Sequence, residues 1–114
     1  MPIVSLVIFL IGAIFGVIVW AAIFRNRPTP KTAVYVHGLV VVTAFAILLL
    51  FSSRAVPGMA PLTAIVLFAI AAVGGLILFS QDMAKKTIPK WLAILHPLIA
   101  VLGVLALILY IMRP

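Results

Sequence analysis

The chain has 114 residues, of which 68% are hydrophobic and 8% charged. An ordinary soluble domain is about 45–50% apolar and about 25% charged, so a water-soluble globule is excluded, and so is disorder, which needs the opposite bias. Eight Lys or Arg face one acid, Asp82, for a formal charge of +7, and there are no cysteines, which removes disulfides, thiolate metal sites, iron–sulfur clusters and cysteine nucleophiles together.

A membrane-spanning helix needs about 20 mostly apolar residues. In chain order the stretches 2–24, 32–51, 61–80 and 91–112 meet that need, and none contains Asp, Glu, Lys or Arg. They do not alternate apolar with polar residues, as barrel strands must. The first lacks a positive leading segment and is longer than a signal-peptide core, so it is expected to be a retained helix. Basic and Pro-containing gaps at 25–31, from 52 onward, and at 81–90 separate the four. Such short connections make sequential helices antiparallel neighbours. The expected fold is all-α: one domain over 1–114, an integral membrane four-helix bundle running up-down-up-down.

The first gap carries Arg25, Arg27 and Lys31, and the third Lys85, Lys86 and Lys90; the second carries Arg54 and the C-terminus Arg113. The positive-inside rule places gaps one and three in the cytoplasm and both termini outside, the expected setting being a bacterial inner (cytoplasmic) membrane. Trp20, Tyr35 and Trp91 then fall near the cytoplasmic interface and Tyr110 near the outer one. Charges confined to such gaps read as topology signals and lipid-headgroup contacts, with no nucleic-acid partner.

Shifted by 59 residues, the sequence aligns with itself without a gap: Pro2 meets Pro61, Phe9 meets Phe68, Gly16 meets Gly75, His37 meets His96 and Arg54 meets Arg113. Pro30-Lys31 likewise meets Pro89-Lys90. Repeat one covers 2–55 and repeat two 61–114. Two hairpins of equal orientation imply a pseudo-two-fold axis along the membrane normal.

An ionisable residue inside a spanning segment is costly and marks a candidate site. His37 and His96 each lie six residues after a Pro-Lys pair, roughly 9 Å along the helix from the lysine. On helices two and four, diagonal in a square bundle, the two imidazoles are expected to face one another at one depth. A haem held by both as axial ligands fits that arrangement. Gly16 and Gly75, with the small residues Gly12, Ala13, Ala71, Ala72, Gly74, Ala44, Ala100 and Gly103, are expected to make room for the porphyrin, although small-xxx-small patterns also serve close helix packing. Lys31, Lys85, Lys86 and Lys90 stand ready for its propionates.

Val36-His37-Gly38-Leu39 and Leu95-His96-Pro97-Leu98 resemble the His-Gly-Leu and His-Pro-Leu segments of cytochrome b561-type membrane cytochromes. The resemblance covers short segments of helices two and four. It implies that His37 and His96 are axial ligands of b haem in a four-helix core. Members of that family typically carry four ligand histidines and two haems; with two histidines this chain holds at most one, as a small bacterial relative.

No nucleophile–base set, HExxH, P-loop or dinucleotide fingerprint occurs. There is no intramembrane carboxylate to couple proton and substrate movement, and the methionines lie at ends or in gaps, away from a second buried haem site. The expected function is a b-type cytochrome carrying electrons through one bis-histidine haem b in the cytoplasmic half of the bilayer, exchanging them with a quinone or a redox protein. The alternatives are a cofactor-free structural or accessory protein and a small transporter gated by the histidines.

Overall fold

A computed structural model describes residues 2–56 and 58–113. Four helices fill it: α1 (Pro2–Phe24), α2 (Lys31–Ser53), α3 (Leu62–Met83) and α4 (Lys90–Ile111). Each is long and apolar enough to cross a membrane. Proline sets the starts. Pro2 opens α1, and Pro30, Pro61 and Pro89 stand immediately before the other three. With φ already fixed and no N–H to satisfy, proline costs nothing at a helix start.

The observed ends lie within three residues of the expected ones. α2 and α4 begin one residue early, taking Lys31 and Lys90 into their first turns. α3 continues through Gln81 and Asp82 to Met83, because polar residues extend a helix readily once it leaves the apolar layer. α1 and α3 stop in matching turns: Arg27 N–H donates to Ala22 O (2.9 Å) and Lys86 N–H to Gln81 O (3.0 Å). The residue before each donor, Asn26 (φ 55°) or Lys85 (φ 56°), is left-handed, as this helix-ending motif requires. Pro97 lies inside α4 and leaves the Ala93 carbonyl without its usual donor, yet the helix runs on, as membrane helices allow.

α1 packs along α2 and α3 along α4, with lighter contacts between α1 and α4 and between α2 and α3. The helices form a four-helix bundle whose core gathers Phe9, Ala44, Leu48, Ala64, Phe68 and Leu107. Ser5 is fully buried and donates to Ala44 O at 3.1 Å. Phe9 and Phe68 stack with ring centroids 3.9 Å apart, joining α1 to α3. Large aliphatic side chains such as Ile14, Val17, Leu39, Val42, Leu76 and Leu109 lie on the outside. In water such a surface would drive aggregation; against acyl chains it is the stable arrangement.

Candidate histidine-pair site

His37 projects from α2 onto α1, and His96 from α4 onto α3. Nδ1 of His37 lies 2.8 Å from Gly12 O, and Nδ1 of His96 lies 2.8 Å from Ala71 O. A carbonyl only accepts, so each Nδ1 carries the proton. In the neutral imidazole the lone pair is then on Nε2. Gly12 and Ala71 are themselves 59 positions apart, so the two hairpins hold their histidines identically.

The glycines explain how each ring reaches its carbonyl. A Cβ at Gly16 would lie 2.9 Å from Cε1 and 3.1 Å from Nδ1 of His37; at Gly75 it would lie 2.9 Å from Cε1 of His96. The space opened by each glycine is therefore filled by the imidazole of its own hairpin. Gly103 and Ala44 serve another layer: a Cβ at Gly103 would lie 3.0 Å from Cε1 of Phe68, and the Ala44 carbonyl accepts from Ser5.

The two imidazoles meet across the bundle, centroids 6.4 Å apart and planes at 88°. Imidazole nitrogens bind metals at about 2 Å, so two opposed rings sharing one ion have centres roughly 6 Å apart. Among the described residues no group of three or more His, Cys, Asp or Glu could hold a metal ion. Two imidazoles are too few for a bare zinc ion. They are a full axial set for haem iron, whose macrocycle supplies the remaining ligands. The donor set therefore fits a haem better than a free cation, and its backbone-anchored Nδ1–H is the support that metal-binding histidines usually have.

The lysines engage protein groups. Lys31 Nζ donates to Asp82 Oδ2 (2.9 Å) and to Thr29 Oγ1 (2.8 Å), while the Thr29 hydroxyl donates to the same Asp82 oxygen (2.7 Å). Lys90 Nζ donates to Ile23 O and Asn26 Oδ1, both at 3.0 Å, and lies 5.0 Å above the Phe24 ring. Lys85 and Lys86 are exposed. Sequence reasoning missed Thr29, which is 6% exposed in a connection; the one signal was its place between two prolines beside the basic run.

The expected aromatic residues are peripheral. Trp20, Tyr35 and Trp91 are exposed around the lysine end. Tyr110, at the other end, donates its hydroxyl to Met59 O and meets the Phe51 ring edge-on. No protein-family model, curated protein or solved structure matches this chain.

Proposed function

We propose that the protein is a small membrane b-type cytochrome in which His37 and His96 hold one haem b. The observation that carries this reading is the pair of imidazoles facing each other at 6.4 Å, each with Nδ1–H tied to a backbone carbonyl and Nε2 left as the free donor. Held by His37 and His96, haem would supply one-electron ferric/ferrous chemistry. The protein's part is to fix both tautomers, set ring depth through Gly16 and Gly75, and exclude water with the surrounding helices. The electron partner in this reading is a quinone or a redox protein.

The same reading takes the bundle as up-down-up-down, built from two duplicated hairpins, with the Lys31–Lys90 end cytoplasmic and both termini outside a bacterial inner membrane. Matched roles at 59-residue spacing support the duplication: Phe9 and Phe68, Leu48 and Leu107, His37 and His96. The six cations at the lysine end support the orientation.

One observation favours a second reading. Each ring already fits its glycine notch and satisfies a carbonyl; in that reading the histidines are cofactor-free clasps within each hairpin. Absorption spectra of protein purified after expression with ample haem separate the two. A Soret band with sharp reduced α and β bands is the expected result, and His37→Ala and His96→Ala should each lose the haem to a similar extent. A spectrum without a Soret band, or unchanged haem in both variants, overturns the cytochrome reading.

A further inference from the structure

The helices pair as two hairpins, α1 with α2 and α3 with α4, and the lighter contacts between α1 and α4 and between α2 and α3 define a seam. Among the described residues four ring pairs cross this seam: His37 against His96, Phe9 stacked on Phe68, Phe51 against Tyr110, and Tyr35 against Phe79. None of these is a hydrogen bond.

Among the described residues, every side-chain hydrogen bond that crosses the seam lies at the lysine end. Lys31 and Thr29 of the first hairpin reach Asp82 of the second. Lys90 of the second reaches Ile23 O and Asn26 of the first. Tyr35 adds a contact from its hydroxyl to Met83 Sδ at 3.7 Å. The remaining long-range bonds, from Ser5, His37, His96 and Tyr110, stay within one hairpin or its flanking connection.

The chemistry at this end suits a strap. Asp82 is the chain's one acidic residue; its side chain is 15% exposed and that of Lys31 49%, so the carboxylate is sheltered while the ammonium stays in contact with solvent. Lys90 sits on the last carbonyls of α1, where the helix dipole favours a cation. Each strap lysine opens the helix that carries a histidine, six residues before it. In lipid no hydrophobic force holds helix to helix, so directional ties at the helix ends add to packing in holding the hairpins together.

We infer that Lys31–Asp82–Thr29 and Lys90–Ile23–Asn26 are paired straps that control admission of a planar ligand into the seam between His37 and His96. With the ring centroids 6.4 Å apart and Phe9 stacked on Phe68 below them, a flat ligand enters between the rings only when the hairpins part. The lysine end is where parting is held by discrete bonds. The ligand assignment rests on the cytochrome reading; the strap itself does not.

Two measurements test this and fail separately. The chain has no cysteines, so spin labels on Pro28→Cys and Thr87→Cys report one distance, between the first and third connections. In Lys31→Met/Lys90→Met that distance distribution should widen. Asp82→Asn, a milder change that keeps the side-chain size, should widen it less. Unchanged distributions in both overturn the straps. Second, ferric haem added to detergent-solubilised apoprotein, followed at the Soret band, should enter and leave about tenfold faster in the double variant, the loss expected for the three exposed seam-crossing bonds that the two lysines make, with unchanged stoichiometry. Unchanged rates in a protein that takes up haem overturn the admission role. If the unaltered protein takes up none, the cytochrome reading and the admission role fall together, and the label distances decide the straps alone.

Discussion

Replacing Gly16 with Ala isolates the contact that seats His37. The added carbon would lie 2.9 Å from Cε1 of His37, whereas carbon atoms rest at about 3.5–4.0 Å, so the ring must retreat by roughly 0.6–1 Å. The bond from Nδ1 to Gly12 O starts at 2.8 Å, and such a retreat carries it past the useful limit of about 3.2 Å. An interhelical bond of this kind in a membrane is worth about 0.6 kcal/mol on average and about 1.7 at most. Overpacking adds about 1–3 kcal/mol, and the better helix propensity of Ala returns about 1 kcal/mol. The net expectation is a loss of about 0.6–3.7 kcal/mol, with Gly75→Ala behaving alike. Gly38 is the control: a Cβ there meets nothing within 4 Å, so Gly38→Ala should stabilise by up to about 1 kcal/mol. Reversible unfolding in mixed detergent micelles measures all three, and the imidazole 15N shifts report whether Nδ1 keeps its hydrogen-bonded proton. Equal stability of the Gly16 and Gly38 variants, with unmoved His37 shifts, refutes the notch argument.

Two further outcomes follow from local geometry. Ser5→Ala removes the buried bond to Ala44 O and should cost about 0.6–1.7 kcal/mol in the same unfolding assay, while Thr43→Ala, whose hydroxyl bonds only its own helix at Leu39 O, should be nearly neutral. Lys85→Gly relieves a left-handed non-glycine residue at φ 56° and should stabilise by about 1 kcal/mol; a destabilised variant would show that the Lys85 side chain makes an offsetting contact.

Much of the site is readable from residue identities because the recurrence of like residues at a 59-residue offset is a one-dimensional property. Equal spacing of His37 and His96 from their Pro-Lys pairs gives each the same place along its own helix whatever the packing. Helix starts are readable for a similar reason, since proline acts on its own backbone. The end of α3 is not, because nothing local stops a helix at Ser80, and it stops at the left-handed turn at Lys85. The glycine notches are half readable. Their helix face follows from a period of 3.6 residues, but what fills them depends on how α2 slides along α1.

Apolar length and the absence of charge by themselves determined four helices fit for a bilayer, since a backbone in lipid must bond within its own segment. The offset of 59 residues pairs His37 with His96 along the sequence, each with a backbone partner at the same offset. Tertiary structure alone decided that the imidazoles occupy the glycine notches, that their Nδ1 protons are held on carbonyls, and that Lys31 and Lys90 tie one hairpin to the other. Those facts depend on helix register and rotation, which uniform apolar surfaces leave unspecified until the side chains interlock.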